Sequence, residues 1–167
     1  MMLRLFLLIF LLLPVPAWAG QKQCYTPAEQ DAEQLLRLHT ELMVVAITCK
    51  QDEDGQDLIA GYTAFTNAHV DALHDAEGTM TAFYNSHFSG NGTARLDKLH
   101  TQLANEYGQK IANLSAPGFC GQYRQEVARL YKATAAELGA QVKTMNDAGM
   151  SRLPLCGAKG ATLAKNP

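Results

Sequence analysis

Four cysteines, Cys24, Cys49, Cys120 and Cys156, stand where predicted helices end. A disulfide requires Cα atoms within ~7 Å, so these positions leave a helical chain few ways to fold. The helices read from their caps and their apolar period. Thr26-Pro27-Ala28-Glu29 supplies a capping residue, a proline suited to a first turn and the glutamate of a capping box. Ala28, Ala32, Leu35, His39, Leu42, Ala46 and Cys49 then recur at helical spacing, widened by Leu38 and Val45. Lys50 suits the C-terminal dipole, and Gln51-Asp52-Glu53-Asp54-Gly55 is a polar turn.

A second helix opens at Asp57 and keeps one stripe through Leu58, Tyr62, Phe65, His69, Leu73, Ala76, Met80 and Phe83. Gly61 and Gly78 each weaken it by ~1 kcal/mol relative to Ala, and Ser89-Gly90-Asn91-Gly92 ends it. The pattern predicts a third helix over about 93–114, with Leu96, Leu99, Leu103, Tyr107, Ile111 and Leu114 inward, stopped by Ala116-Pro117-Gly118. A fourth follows over about 121–145, with Tyr123, Val127, Leu130, Tyr131, Leu138, Val142 and Met145 inward. Residues 146–167 contain Gly149, Pro154, Gly157 and Gly160 and read as an irregular tail. No segment alternates as a strand does. Four amphipathic helices with short links predict an all-α, up-down-up-down four-helix bundle.

That topology selects among the three connectivities open to four cysteines. Helix 1 would hold Cys24 and Cys49 ~37 Å apart, so they cannot pair. Following the chain up, down, up and down brings Cys49 and Cys120 to one end, and Cys24 and Cys156 to the other. Cys24–Cys120 would again span the bundle. The expected bridges are therefore Cys49–Cys120 and Cys24–Cys156, each closing a long loop worth ~4–5 kcal/mol in the chain-entropy model. No cysteine lies in a C-x-x-C pair, which argues against a zinc site, and no C-x-x-C-H is present for haem attachment.

Oxidised cysteines agree with the N-terminus. Arg4 precedes an unbroken apolar run from Leu5 to Leu13, then Pro14-Val15-Pro16 and the small-residue site Ala17-Trp18-Ala19. This is the pattern of a secretory signal peptide over residues 1–19, and the run is shorter than the ~20 residues of a membrane span. Cleavage would leave residues 20–167 as one domain able to bury its own core. Loss of Arg4 makes that domain one unit more negative than the formal −2 of the whole chain. It carries no basic cluster, which disfavours nucleic acid and anionic membranes, and no further apolar run long enough to span a bilayer. The expected location is periplasmic or secreted.

The histidines are the main site candidates. His39 and His69 lie on the inward stripes of helices 1 and 2, ~15 and ~17 Å from the same end of the bundle. Tyr131, Glu106 and Tyr107 come to similar depth. Two histidines and a carboxylate, His39, His69 and Glu106, are a ligand set for zinc, copper or iron, while a histidine on an apolar stripe is more often a hydrogen-bonded core residue. The Glu-x-x-His pairs of di-iron bundles are missing. His74 and His100, beside Asp75 and Asp97, suit a solvated face. His87 suits a helix end, and Met43 and Met80 suit core filling. Glu29, Asp31, Glu33 and Glu41 read as solvated surface. The chain has no G-x-S-x-G, H-E-x-x-H, P-loop or G-x-G-x-x-G, so catalysis finds little support. Asn91-Gly92-Thr93 and Asn113-Leu114-Ser115 match a glycosylation sequon.

Cys24-Tyr25-Thr26-Pro27-Ala28-Glu29, Leu38-His39-Thr40-Glu41-Leu42-Met43 with Thr48-Cys49, Leu103-Ala104-Asn105-Glu106, and Phe119-Cys120 resemble an uncharacterised family of exported helical proteins of Gram-negative bacteria. The resemblance covers most of the chain after the signal. It implies compartment and fold and carries over no activity and no functional residue. Two functional readings follow. One is an exported binding or interaction module for a periplasmic protein or small molecule. The other is a metal- or cofactor-binding bundle centred on His39 and His69.

Overall fold

A computed structural model describes residues 23–157; the expected signal peptide lies outside the described residues. Among these residues the chain is all-helical. The elements are α1 (Pro27–Cys49), α2 (Leu58–Ala68), α3 (Val70–His87), α4 (Gly92–Leu130) and α5 (Ala135–Asp147). No helix among them is long and apolar enough to cross a membrane. Both expected bridges are present, Cys24–Cys156 with Cα atoms 5.0 Å apart and Cys49–Cys120 at 5.5 Å.

The caps act as their residue types dictate. Thr26 and Glu29 close a reciprocal capping box at α1, satisfying N–H groups that a first turn leaves unpaired. Asp57 accepts from the Ile59 and Ala60 N–H groups at α2, and Asn91 from Thr93 at α4. Gly92 is required at its position. A Cβ there would lie 2.5 Å from the Thr81 carbonyl oxygen, and the residue's own N–H donates to Asn85 Oδ1 at 2.8 Å.

α1 packs against each of the other four helices, and α3 also packs on α4. Its contacts ascend together with those of α4: Arg37 meets Glu106, Tyr107 donates to Glu41 and Cys49 bonds Cys120. α3 runs the opposite way, so that Phe83 near its end stacks edge-on with Tyr25 before α1. Two apolar clusters result. One gathers Leu42, Val45, Phe65, Phe119, Val127 and Leu138 toward the Cys49–Cys120 bridge. The other gathers Tyr25, Leu36, Met80, Phe83, Leu99 and Leu103 toward the Cys24–Cys156 bridge.

Several boundaries depart from the expected ones. The second expected helix divides at His69, whose φ of −117° and ψ of 19° end α2 and open α3. No proline or glycine marks the break. It is set by packing, since His69 Nε2 donates to the Ala133 carbonyl at 3.1 Å. The third expected helix stops on time, with Ser115 at φ 61° and ψ 160°. Pro117 then starts a new run in place of a loop, so that α4 resumes to Leu130. Lys110 spans this kink, its ammonium 4.4 Å from the Tyr107 ring on one arm and 5.3 Å from Tyr123 on the other. The fourth expected helix is interrupted after Leu130, where Thr134 and Glu137 form a second capping box and begin α5.

The apolar stripes survive these breaks, because Leu58, Phe65, Leu73, Met80, Val127, Leu138 and Met145 are all buried. Ala28 and Leu114 are exceptions and lie exposed, Ala28 in the first turn of α1 and Leu114 next to the kink. Gly61, which costs α2 some intrinsic stability, has a packing reason. A Cβ there would meet the Tyr131 ring at 2.5 Å, and that ring is fixed by its hydroxyl donating to the Leu42 carbonyl at 2.9 Å.

Candidate functional site

Among the described residues, a buried charged network and an open polar cleft each gather several polar side chains. The network begins on α1. Glu33, expected on a solvated face, is fully buried, as is Gln34, and Arg37 is only 7% exposed. The correction has a simple origin. Over residues 32–42 α1 has no exposed position, so its polar face is covered there too, while Asp31 and Ile47 toward its two ends stay exposed. Glu33 and Arg37 are one helical turn apart and pair at 3.5 Å. Arg37 also donates to Glu106 Oε2 on α4. Glu106 Oε1 accepts from the Arg152 guanidinium at 2.6 Å, and Gln102 Oε1 accepts from it at 2.5 Å. The Arg152 backbone N–H donates to Glu33 Oε2 at 3.1 Å.

Electrostatics divide the two acids. Burial pushes the Glu33 carboxyl above its ordinary value, only partly offset by the Arg152 N–H and by the charges of Arg37 and Arg152. At Glu106 partial burial is outweighed by hydrogen bonds from Arg37 and Arg152, which hold its carboxyl below the ordinary value. Arg37 loses hydration on burial, yet Glu106 and then Glu33 raise its pKa, so it stays charged. Chemically, Glu33 can hold a proton at a pH where a surface carboxylate has lost one. It has no exposed surface to offer a substrate.

Higher on α1, Glu41 accepts from the Tyr107 hydroxyl at 2.6 Å. Burial raises the Glu41 carboxyl, and burial together with that acid pushes the Tyr107 phenol up.

The cleft lies at the Cys49–Cys120 end and has a volume of about 540 Å³. The turn after α1 supplies Asp52, Glu53 and Asp54. The end of α4 and the start of α5 supply Gln125, Ala128, Arg129, Lys132, Ala133 and Glu137. Asp52 shapes the turn by accepting from the Asp54 and Gln56 N–H groups at 2.9 and 2.8 Å. Glu53 ties it to α4 through Arg124 at 3.5 Å. Hydrogen bonds from Thr134 keep Glu137 ionised by lowering its pKa. Acids of the turn thus share a cavity with two cations of α4 and its end.

The expected metal ligands take separate partners. His39 Nε2 shares a hydrogen bond with the Tyr62 hydroxyl at 2.8 Å; burial and then the charge of His100 lower its pKa. His69 donates to Ala133 at the α2–α3 junction, and Glu106 is held by the two arginines. Tyr131 is bonded to Leu42. Among the described residues, no three His, Cys, Asp or Glu side chains gather as a metal site. The Glu33–Arg37 pairing, by contrast, went unread although its spacing of four on one helix is a visible signal.

No family model matches the chain, and comparison with curated proteins and with solved structures finds no match.

Proposed function

We propose that the chain is an exported binding module, an up-down-up-down four-helix bundle that takes a small molecule of mixed charge at its Cys49–Cys120 end. The observation that carries this reading is the cleft. Its volume suits a small ligand, and it sets Asp52 and Asp54 in one cavity with Arg129 and Lys132. The lining holds four acids, Asp52, Glu53, Asp54 and Glu137, against the bases Arg129 and Lys132. A zwitterion can therefore satisfy both signs at once, whereas a simple anion would meet repulsion from most of the charged lining and a simple cation would leave the two bases unmatched. The paired ascent of contacts along α1 and α4, the opposed run of α3 and the two bridges support the bundle topology. The bridges, the signal-like N-terminus and the resemblance to exported Gram-negative proteins support a periplasmic location.

The test is thermal unfolding against a panel of amino acids and short peptides. A ligand bound only by the folded state stabilises by RT ln(1 + [L]/Kd). Saturable stabilisation that Ala128→Trp abolishes supports the cleft. A panel with no effect on the wild type, or an equal effect on the filled variant, retires it. Export is checked separately by fractionation and N-terminal sequencing. Protein beginning at Gly20 is expected, and cytosolic protein retaining Met1 would overturn that part.

A further inference from the structure

The segment after α5 lies along α1 and α4 as a bound peptide would. Ser151 Oγ accepts from the Gln30 and Gln34 side-chain amides, both at 2.9 Å. Arg152 uses its main chain on Glu33 and its guanidinium on Gln102 and Glu106. Leu153 packs on the cluster around Met80 and Phe83. The Pro154 carbonyl accepts from Tyr25 N–H at 2.9 Å, and Cys156 N–H donates to the Tyr25 carbonyl at 2.8 Å, a parallel bridge between Tyr25 and Leu155. Recognition that alternates between main chain and side chain is how grooves hold extended peptides.

The wall of this channel is organised without the segment. Arg37 reaches both Glu33 and Glu106 from within α1, so each acid has a partner that does not belong to the segment. Their arrangement suits a guanidinium, whose planar fork engages several acceptors at once. The resident segment also leaves the wall incompletely used. Gln34 Oε1 and Arg37 Nε have no hydrogen-bond partner, although both side chains are more than nine-tenths buried. Turning the Gln34 amide over would exchange an orphan oxygen for an orphan nitrogen. Arg152 Nε is likewise unpartnered, 3.9 Å from Glu33. Gln34, whose amide nitrogen already meets Ser151, thus keeps an unspent acceptor beside the segment.

We propose that this channel is a binding site for an arginine-bearing extended peptide, that residues 151–155 are its resident occupant, and that an outside peptide takes their place when the Cys24–Cys156 bridge is open. With the bridge closed the segment is fastened at both ends, at α5 and at Cys24, and its local concentration excludes a competitor. A dithiol reductant opens the bridge. Its thiolate attacks one sulfur, its second thiol resolves the mixed disulfide, and two electrons and two protons pass to Cys24 and Cys156. The reductant leaves as a disulfide. The segment then hangs from Gly149 alone, whose φ of +69° favours glycine. This site is separate from the cleft, and its test is independent of the ligand proposed there.

The experiment uses the full chain with Cys24→Ser and Cys156→Ser, which opens this bridge and leaves Cys49–Cys120 intact. The probe is a fluorescein-labelled Ser-Arg-Leu-Pro-Leu peptide, followed by anisotropy, beside a control with alanine for arginine. Saturable binding to the variant is expected, at least tenfold weaker to the wild type and at least tenfold weaker for the alanine control. Equal binding of both peptides, or none, overturns the proposal. So does a dimer in size exclusion that the peptide cannot dissociate, because the occupant is then a second copy's tail. A second measurement guards against misfolding of the variant. In the disulfide-intact chain, Arg152→Ala should gain melting temperature saturably from methylguanidinium and not from methylammonium, with no such gain in the wild type. Equal response to the two cations would overturn guanidinium recognition.

Discussion

At the Cys49–Cys120 end, α1 meets its neighbours through Leu42, Val45 and Ala46 against Phe65, Phe119 and Val127. Toward the Cys24–Cys156 end the same helix turns Glu33, Gln34 and Arg37 inward along with Leu36. Each end carries one disulfide, so the bridges do not explain the contrast. Apolar contacts are non-directional and reward burial in many arrangements. A buried ion network accepts few, because each group is costly unless its partners sit in place. The upper half therefore supplies burial, while the lower half specifies which part of α4 and of the tail lies beside α1.

The largest expected effects test the bridges that the two halves share. Replacing either cysteine pair by serine should cost up to ~4–5 kcal/mol in the chain-entropy model, with Cys24–Cys156 ahead by only about 0.5 for its longer loop. Because Cys49 and Cys120 fasten core-lining helices and Cys156 fastens an irregular tail, we expect the Cys49–Cys120 loss to be larger in urea unfolding. A loss at Cys24–Cys156 larger by well over the ~0.5 kcal/mol that loop length supplies would show that the tail is part of the cooperative core.

Single side chains come next. Leu42→Ala and Leu103→Ala, one in each apolar cluster and both fully buried, should each cost ~2–5 kcal/mol. Arg37→Met should cost ~3–5 kcal/mol, because it leaves the buried Glu33 without its helical partner. A cost near zero for Arg37→Met, with the leucine values as expected, would place the specificity of the lower half elsewhere.

The two acids of the network should respond to pH with opposite sign. The Glu33 pKa is raised in the folded protein, so its contribution favours folding below its ordinary value of 4.5 and is lost as pH rises through the folded value. Glu33→Gln removes that loss, and its melting temperature relative to wild type should climb as pH rises above 4.5. The Glu106 pKa is lowered, so its contribution is present above 4.5 and lost as pH falls through the folded value. Glu106→Gln should therefore be most damaging at neutral pH and less so in acid. Parallel slopes for the two variants would mean that the network does not separate them. The smallest effects belong to the caps: Thr26→Ala and Thr134→Ala should each cost ~1 kcal/mol in thermal unfolding.

Much of this architecture was legible because its causes are local. The capping box at Thr26, the cap at Asp57 and the apolar stripes through Phe65, Leu103 and Val142 all follow from neighbours on one helix. The start of α5 carried the same signal, Thr134 and Glu137 repeating the spacing of Thr26 and Glu29, but the apolar stripe runs unbroken through it and gave one continuous helix over about 121–145. The division at His69 was not, because its partner Ala133 is far away in sequence. Glu33 escaped for a similar reason. Periodicity tells which residues share a face, but not how many other helices will cover it. The candidate site follows the same rule. Asp52, Asp54, Arg129 and Lys132 are ordinary surface residues in the sequence, and only the fold assembles them into a cleft.

The order of the bridges along the chain has a consequence for cleavage. Cys49–Cys120 is nested inside Cys24–Cys156, so any cut between Cys49 and Cys120 leaves two fragments joined twice. The kink at Ser115 lies in that interval, on an exposed stretch of backbone. A protease that opens it changes the chain's ends without changing its mass by more than one water. The fragments would part only in reductant, and a nicked molecule would pass for an intact one on a non-reducing gel.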